Sequence, residues 1–391
     1  MIQIRGISAK SILDTRKEKT IEVTIDTTSG KFIASAPNGK SRGKYETPSY
    51  KKSLNDDIQT LNKLKLKSIS LSKFDDLTKI EKILKNKIGA NSVIALEYAA
   101  LKALAKNKNC EVWQLINPRA KNLPMSVGNS IEGGRHTNNI GPSFQEFHFI
   151  PHATSFQEAV LINKTARQDC LQILKNLDKK FKKQLSDENA WVTTLDEEKV
   201  MNLLLDVKDN MVDEFVTKVH CGIDLAASEF FNGKKYFYKN MKKSLNKEQQ
   251  ILFICEIADK FFYIEDPLEE NDFQGFADIV KNSQSLIVGD DLTVTNLQRI
   301  KKAVKMNAIR GVIIKPNQCG SLIEVKQIVD FCKKNKIRTI FSHRSGETKE
   351  NTLADLAFGF QADFIKTGVE GVGRDEKLDR LIEIEKSLWK I

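Results

Sequence analysis

Short apolar runs that end in charged or polar residues recur along the chain from about Cys221 onward. These runs read VHCGID, FFYIED, SLIVGDD, GVIIK, RTIFSHR and ADFIK. Amphipathic helical segments lie between them, such as SLIEVKQIVDFC, in which Ser321 and Glu324 have the spacing of a capping box. One strand and one helix in every step predict consecutive βα units and a parallel sheet.

The polar residues that end the later runs are evenly spaced. They are, in order, Glu265, Asp290, Lys315, His343 and Lys366. They follow one another at intervals of about 25 residues, which suits one strand plus one helix per step. A doubly wound sheet has a similar rhythm, but in a closed barrel all parallel strands end at one mouth, where active sites are found. The polar ending of each run therefore favours a (β/α)8, TIM-like barrel.

The first part of the chain has a different periodicity. Two β-like runs, TIEVTID and KFIASA, are joined by a short turn, and helical stretches follow them. The clearest helical stretch spans 92–107, where Ser92 is a candidate N-cap. We predict an α+β domain over residues 1–122, followed by the barrel over residues 123–391.

Asp224, Glu265 and Asp290 end three of the apolar runs and would share the mouth of the barrel. Three clustered carboxylates repel one another, and a cation is needed to hold all of them ionised. Oxygen ligands without a neighbouring cysteine favour Mg²⁺ over zinc or copper. The alternative is that each acid caps a helix or pairs with a surface lysine. Their equivalent positions, followed by a lysine and a His-Arg-Ser sequence, favour a metal-dependent active site.

The composition is that of a globular protein, with 40% hydrophobic and 29% charged residues. The net charge of +11 raises the alternative of a nucleic-acid partner, but the lysines are spread over helical patterns without interleaved aromatic residues. We therefore favour a solvated lysine-rich surface and no nucleic-acid partner. The six cysteines form no CxxC pair, which argues against a zinc site and a disulfide framework. With no signal-peptide pattern and no apolar run of membrane length, we expect a cytoplasmic protein without membrane contact.

A series of motifs occurs in order along nearly the whole chain. They are SILDTR, PNGKSRG, GGRH, QEF, DLAASEF, IEDP, VGDDLTVTN, IIKPNQCG, SHRSGET and IKTG. Together they resemble the enolase family, the phosphopyruvate hydratases of glycolysis. The resemblance implies an α/β fold, in which an N-terminal α+β domain precedes a modified (β/α)8 barrel whose first units are irregular. This agrees with a rhythm that becomes regular only after Cys221.

The resemblance also implies which residues bind metal. Asp224, Glu265 and Asp290 would hold a first Mg²⁺. Ser41, in a mobile loop over residues 37–43, would join a second Mg²⁺ together with the substrate phosphate. Two glycines in that loop suit a segment that opens and closes. The expected cofactor is therefore two Mg²⁺ per active site.

By the same resemblance, Lys315 would be the general base and Glu188, in SDENAW, the general acid. The small phosphorylated acid that serves as substrate would be surrounded by His136, Gln145, Glu146, His343, Arg344, Ser345 and Lys366. The expected reaction is the reversible dehydration of 2-phosphoglycerate to phosphoenolpyruvate, which builds negative charge beside a carboxylate. A basic lysine must be neutral, so we expect neighbouring cations to lower the pKa of Lys315. We expect Glu146 to raise the pKa of Glu188.

Several segments depart from the family pattern. The acid loop, usually G-D-E-G-G-F, reads SDENAW over residues 186–191, and the segment after the last strand reads KTGVEGVGRDEK. Without three glycines, a positive φ would strain Ala190 and, to a smaller extent, Asn189. Near the start, SRGNPT has become TRKEKT. Glu383 stands where the family has an arginine that pairs across a dimer with the glutamate matching Glu22, so a homo-oligomer would need a non-standard dimer contact.

Two alternatives to this function stay open. One is a lyase of the same family that acts on a related phospho- or phosphono-acid, as the altered acid loop suggests. The other is a non-catalytic binding or adhesion protein on the enolase scaffold, against which the intact set of acidic ligands argues. Single histidines also have structural interpretations: His136 lies beside two glycines, and His148, His152 and His220 match no motif.

Overall fold

The computed structural model describes residues 1–40, 43–64 and 69–388. Their strands are β1 (Ile2–Leu13), β2 (Lys19–Thr27), β3 (Gly30–Ser35), β4 (Ser70–Leu71), β5 (Met125–Glu132), β6 (Glu146–Pro151), β7 (Trp191–Val192), β8 (Val219–Asp224), β9 (Tyr236–Tyr238), β10 (Lys243–Leu245), β11 (Tyr263–Glu265), β12 (Leu286–Gly289), β13 (Gly311–Ile314), β14 (Arg338–Ser342) and β15 (Phe364–Lys366). Their helices are α1 (Leu54–Lys63), α2 (Leu77–Leu84), α3 (Ala90–Lys108), α4 (Val112–Ile116), α5 (Phe156–Leu177), α6 (Glu197–Phe215), α7 (Lys247–Ala258), α8 (Phe273–Asn282), α9 (Leu297–Lys305), α10 (Pro316–Cys319), α11 (Leu322–Lys334), α12 (Thr352–Gly359) and α13 (Asp375–Leu388). None of these helices combines the length and the apolar composition that a bilayer span requires.

The N-terminal part of the chain is an antiparallel sheet in the order β3-β2-β1-β4. β2 and β3 form a hairpin in which Thr27 pairs with Gly30, whose φ of 114° is a conformation that favours glycine. α3 packs on β2 and β3, and its Ile94 and Leu101 belong to the buried core. Each such aliphatic side chain contributes about 1.5–3 kcal/mol when it is removed from water. An α+β unit therefore precedes the barrel.

Eight strands form the closed barrel, in the order β5, β6, β8, β11, β12, β13, β14 and β15, and β15 pairs with β5 to close it. From β8 onward, neighbouring strands are parallel. β6 is different, because it runs antiparallel to both β5 and β8. The predicted α+β domain followed by a modified (β/α)8 barrel with irregular first units is therefore confirmed.

Alternate side chains of each strand lie on the same face of the sheet. On one such face, apolar side chains fill the barrel interior and polar side chains lie at the mouth. One cluster of buried apolar side chains comes from seven of the eight barrel strands: Val127, Ile150, Tyr263, Leu286, Val288, Ile313, Ile340 and Phe364. Phe364 precedes Lys366 by two residues, so both side chains lie on the same face of β15. Tyr263 has the same relation to Glu265 on β11. On β11 and β15, the buried aromatic side chain is thus followed toward the mouth by a charged residue on the same face.

The local predictions for two helices had different outcomes. In α11, Ser321 caps the helix by accepting a hydrogen bond from the Glu324 N–H at 2.9 Å, as predicted. Ser92 is not an N-cap, because α3 already begins at Ala90 with Gly89 as its cap. The Ser92 hydroxyl instead donates to the Asp57 carboxylate at 2.7 Å. Sequence periodicity located α3 but not its first turn. The contact between Ser92 and Asp57, a residue of α1, helps to define that turn.

Candidate active site

The mouth of the barrel gathers most of the predicted site residues around one pocket. Its lining includes His136, Gln145, Glu146, Glu188, Asp224, Asp290, Lys315, His343, Arg344, Ser345 and Lys366. Glu265 is not part of that lining, but its carboxylate contacts Lys366. Ser41, predicted as a ligand of a second cation, lies outside the described residues, as does Arg42 of the same loop.

Four carboxylates form a row across neighbouring strands at this mouth. Glu132 is paired in register with Glu146, and Glu146 with Asp224. Asp224 is in turn paired with Glu265. β8 and β11 present their last residues here, whereas β6, which runs in the opposite direction, presents its first residue, Glu146. All four side chains are buried, so their charges require partners.

Lys366, the last residue of β15, is the cation shared by three members of this row. Its Nζ lies 3.1 Å from Glu146, 3.0 Å from Asp224 and 2.9 Å from Glu265. Burial lowers the pKa of Lys366, but the three carboxylates outweigh burial and raise it well above its usual value. The pKa of Glu265 is raised as well, by burial and by the charge of Asp224. One ammonium group does not neutralise three carboxylates.

The predicted metal ligands supply oxygen donors that fit a hard cation. Glu265 Oε1 is buried and has no hydrogen-bond partner in the described part of the chain. Two of the predicted ligands, Glu265 and Asp290, and Asp266, which was not predicted, each offer a carboxylate oxygen, and these oxygens lie within 4.8 Å of one another. The predicted ligand Asp224 is not part of this group. The carboxylate of Asp266 also accepts hydrogen bonds from the N–H groups of Asp290 (3.1 Å) and Asp291 (2.6 Å), so it fixes the turn after β12. Clustered carboxylates are typical ligands of Mg²⁺.

Lys315 lies directly after β13, and its ammonium group forms an ion pair with Asp290. Burial lowers the pKa of Lys315, but the charge of Asp290 outweighs burial and the opposing effects of Arg344 and Lys366, so the net pKa is raised. Arg344 and Lys366 lower the pKa as expected, but the net direction is the opposite, because the sequence does not reveal that Asp290 points at this lysine. A group that attracts the Asp290 charge would return Lys315 toward the range of a base.

The acid loop, residues 186–191, is a tight turn that carries Glu188. The Ser186 hydroxyl accepts hydrogen bonds from the N–H groups of Glu188 (3.3 Å) and Ala190 (3.1 Å). Asn189 takes a positive φ of 68°, whereas Ala190 does not. Asparagine tolerates this conformation better than most residues other than glycine. The loop therefore follows a path that avoids the strain expected at Ala190.

The Glu188 carboxylate faces two histidines. His343 Nε2 lies 2.9 Å from Glu188 Oε2, and His136 Nδ1 lies 3.8 Å from Glu188 Oε1. Burial raises the pKa of Glu188, but His343, His136 and Arg374 outweigh burial, and the net pKa lies well below its usual value. The expectation of a raised pKa is wrong for this structure, because it considered Glu146 and not these neighbouring side chains.

Glu132, at the end of β5, is a site residue that the sequence reasoning missed. Its Oε1 lies 3.5 Å from His136 Nδ1 and accepts a hydrogen bond from Asn129. Burial lowers the pKa of His136, but Glu132 and Glu188 outweigh burial and raise it to about 9. The His136 ring is therefore positively charged at neutral pH, which suits contact with an anion better than a purely structural role. The missed signal was an acid at the end of an apolar run, the same signal that identified Asp224.

Arg344 and Ser345 follow β14 and contact the N-terminal domain. The Arg344 guanidinium donates to both carboxylate oxygens of Glu46 at 3.1–3.2 Å. Gly39 approaches so closely that a Cβ there would lie 1.9 Å from Arg344 Nη2. The Ser345 hydroxyl accepts a hydrogen bond from the Lys40 N–H at 2.7 Å. The Arg344 guanidinium, predicted to bind phosphate, thus contacts Glu46 in this structure. The two residues lie far apart in the sequence, so no local motif predicts this contact.

Residues at the start of β6 complete the site. Gln145 Nε2 donates to Asp224 at 3.4 Å, and its backbone N–H donates to the Asp224 carbonyl at 2.9 Å. Glu146 Oε2 lies 2.8 Å from His148 Nε2. Burial lowers the pKa of His148. His148, which matches no motif, is thus a buried partner of a site carboxylate.

Comparisons with known proteins match the whole length of the chain. The family model described as "Enolase, N-terminal domain" matches residues 4–116, and the one described as "Enolase, C-terminal TIM barrel domain" matches residues 120–390. The chain is 35% identical to the enolase of Methanosphaera stadtmanae, covering 98% of this chain and 97% of that protein. It is 35% identical to the enolase of Archaeoglobus fulgidus (99% and 98% covered) and 36% identical to that of Methanocorpusculum labreanum (99% and 100% covered).

Proposed function

The chain belongs to the enolase family, and on that premise we propose that it catalyses the Mg²⁺-dependent, reversible dehydration of 2-phosphoglycerate to phosphoenolpyruvate in glycolysis and gluconeogenesis. Full-length relatives named enolase support the phosphopyruvate hydratase activity. One observation carries the proposal: Lys315 and Glu188, a base and an acid candidate, line the same pocket as the carboxylates of Glu146, Asp224 and Asp290, with Glu188 buried and Lys315 half-buried. That combination suits removal of a proton beside a carboxylate and departure of a hydroxyl group.

In the proposed reaction, Lys315 accepts the proton from the carbon next to the substrate carboxylate. When bound by Asp224, Glu265 and Asp290, Mg²⁺ supplies positive charge that stabilises the negative charge developing on the substrate. Lys366 adds a fixed ammonium group beside the same carboxylates. For Lys315 to act as a base, Asp290 must no longer stabilise its protonated form. This requirement supports the assignment of Asp290 as a ligand of Mg²⁺.

Glu188 donates the proton with which the hydroxyl group leaves as water. Its low pKa in this structure comes from His343, His136 and Arg374. An anionic substrate raises that pKa, because a second negative charge nearby disfavours the ionised carboxylate and competes for the histidines. Substrate binding therefore moves Glu188 toward the protonated form that an acid needs.

The phosphate group of the substrate is assigned to the cationic side of the pocket. His136 carries a positive charge there, and Arg344 offers a planar fork that binds phosphate oxygens once it exchanges Glu46 for the substrate. Ser345 supplies a hydroxyl group next to the Lys40 backbone. The second Mg²⁺, with Ser41 as a ligand, remains part of this proposal.

The first test is to incubate the purified protein with 2-phosphoglycerate and Mg²⁺ and to follow phosphoenolpyruvate by its ultraviolet absorbance. We expect product with Mg²⁺ and none after addition of a chelator, with recovery when Mg²⁺ is restored. Folded protein that binds Mg²⁺ without forming product would contradict the proposed substrate.

A related phospho- or phosphono-acid is the second candidate substrate. The acid loop departs from the family sequence, and it contacts the segment after β15, which departs as well. A panel of phosphorylated and phosphonate hydroxy acids, compared by kcat/KM, separates the two candidates. A cytoplasmic location is also proposed, supported by six unpaired cysteines.

A further inference from the structure

The acid loop contacts two other elements of the barrel at once. On one side lies α5, which contributes Arg167. On the other side lies the segment after β15, which contributes Glu370 and Gly371. Both contacts are made by Asn189, the residue next to Glu188 in the chain. The position of the Glu188 backbone therefore depends on both neighbours.

Arg167 bonds the acid loop and its neighbour with a single guanidinium group. Its Nε and Nη2 donate to the Asn189 carbonyl at 3.1 and 2.7 Å, and its Nη1 donates to Glu370 Oε1 at 2.5 Å. The guanidinium carbon lies 4.4 Å from the centre of the Trp191 ring, and Trp191 Nε1 donates to the Arg167 carbonyl at 2.9 Å. The Arg167 side chain is only 4% exposed, so its bonds to the Asn189 carbonyl are largely shielded from water, whereas its partner Glu370 is 36% exposed.

The side chain of Asn189 fits against the other segment. Its Nδ2 donates to the Glu370 carbonyl at 3.1 Å. Gly371 leaves the space for it, since a Cβ at that position would lie 2.8 Å from Asn189 Nδ2. Gly371 also has a φ of 107°, where other residues are strained. The two segments that depart from the family pattern are thus complementary in shape and in hydrogen bonding.

We propose that Arg167, Glu370 and Asn189 form a clamp that positions Glu188 for proton donation to the leaving hydroxyl group. None of the three is a catalytic residue, because their bonds are to the loop backbone and to one another. The clamp acts on Glu188 through the Asn189 peptide. The inference rests on the proposed function, in which Glu188 is the acid.

The two halves of the proposed reaction make the clamp testable. Lys315 breaks the C2–H bond and takes the proton, leaving its electron pair on the substrate. That pair forms the C2–C3 double bond as the C3–O bond breaks, and the hydroxyl group leaves as water with a proton from Glu188. If the hydroxyl group stays, a deuteron from D₂O returns to C2. A displaced Glu188 therefore slows dehydration while Lys315 continues to exchange the C2 proton.

The experiment measures both rates in D₂O, exchange at C2 of 2-phosphoglycerate by NMR and formation of phosphoenolpyruvate by absorbance. For Arg167→Met we expect dehydration to fall by about 10–100-fold, the range for lost positioning of a reacting group, with exchange close to native. Arg167→Lys should not restore dehydration, because an ammonium group lacks the planar fork. Asn189→Gly, which keeps the backbone conformation, should lower dehydration by about 2- to 10-fold, the value of one hydrogen bond.

Arg310→Met is the matched control. Arg310 precedes β13 at the opposite end of the barrel, and it also donates to backbone carbonyl groups, those of Val280, Ser283 and Ser285. Its loss should lower stability without changing the ratio of exchange to dehydration. If Arg167→Met does not fold, the ratio of exchange to dehydration in Asn189→Gly and Glu370→Gln tests the clamp, since both variants retain Arg167. A native ratio in the folded clamp variants would overturn the proposal.

A readout without turnover separates failure of the clamp from failure of the proposed function. The chain has only five histidines, so the His136 ring can be followed by NMR. Its pKa of about 9 depends partly on the Glu188 charge and should fall in Arg167→Met. A native protein that neither exchanges nor dehydrates 2-phosphoglycerate contradicts the proposed function. An unchanged His136 titration in Arg167→Met contradicts the clamp.

Discussion

The two halves of the barrel mouth are held in place by different means. We define the strand half by residues that end or directly follow parallel strands: Asp224, Glu265, Asp290, Lys315 and Lys366. We define the loop half by His136, in a 3₁₀ turn, and Glu188, in the acid loop. The ladder of the closed sheet fixes the strand half, whereas the loop half is held by local turn hydrogen bonds and by side-chain contacts such as those of Arg167 and Ser186. Substitutions away from the pocket should therefore disturb the loop half more than the strand half.

The largest effect is expected from the strand half itself. Lys315→Ala removes the proposed base, and kcat should fall by about 10²–10⁴-fold, the usual contribution of general base catalysis. Lys333→Ala is the matched control, because among the described residues the Lys333 ammonium donates only to the Phe360 carbonyl, at 2.6 Å. Steady-state assays with 2-phosphoglycerate measure both variants. Near-native turnover by Lys315→Ala would show that another group removes the proton.

A smaller effect concerns the cation on the strand half. Mg²⁺ at 100 times its dissociation constant should raise the unfolding free energy of the native protein by about 2.7 kcal/mol. Glu265→Gln should lose most of this stabilisation, since it removes a charged ligand. Glu229→Gln should keep it, because Glu229 lines the pocket but pairs with Arg135. Thermal unfolding with and without Mg²⁺ measures this stabilisation in both variants. Equal shifts of the unfolding temperature in the two variants would contradict the assignment of Glu265 as a ligand.

The smallest effect tests whether the loop half depends on side-chain contacts. Asp178 follows α5 and accepts hydrogen bonds from the Thr193 hydroxyl and the Thr194 N–H, both at 2.7 Å. These bonds hold the chain just after β7, and Asp178→Asn should lower the unfolding free energy by about 1–3 kcal/mol. Asp206→Asn, at an exposed position of α6, should have little effect.

The same comparison has a pH dependence with a defined sign. Burial raises the pKa of Asp178, but its hydrogen bonds to Thr194 and Thr193 outweigh burial, and the net pKa is lowered. Its stabilising contribution is therefore complete above the usual carboxyl pKa and is lost as the pH falls through the folded value. Urea unfolding at neutral and acid pH should show the difference between native protein and Asp178→Asn shrinking in acid. A difference that grows in acid would contradict the assigned contacts.

Much of the fold could be predicted from the sequence because apolar periodicity and strand-end polarity are local signals. They located the strands that carry Asp224, Glu265 and Lys366. The direction of β6 was not readable, because an apolar run such as EFHFIP looks the same in either direction. The division of the chain at residues 122 and 123 stays a prediction.

The candidate site was predicted less completely, for a different physical reason. Residue types and motifs identified Lys315 and Glu188, but the directions of their pKa shifts depend on which charged groups point at them. Asp290 and the two histidines set those directions, and their orientation follows from the folded arrangement of distant segments. Arg167 was missed because its partners lie in two other segments, with no motif of its own.

The reversed direction of β6 has a consequence for how the molecule folds. Because β5 and β6 are consecutive antiparallel strands, Glu132, His136 and Glu146 belong to one hairpin and lie within a span of about 15 residues. The rest of the mouth is assembled from distant segments, and the barrel closes only when β15 reaches β5. Hairpins form in about 1–10 μs, and contacts between distant segments form later. Because β6 is reversed, the part of the site that carries Glu132, His136 and Glu146 depends on contacts that are close in sequence. This part can form before the barrel closes.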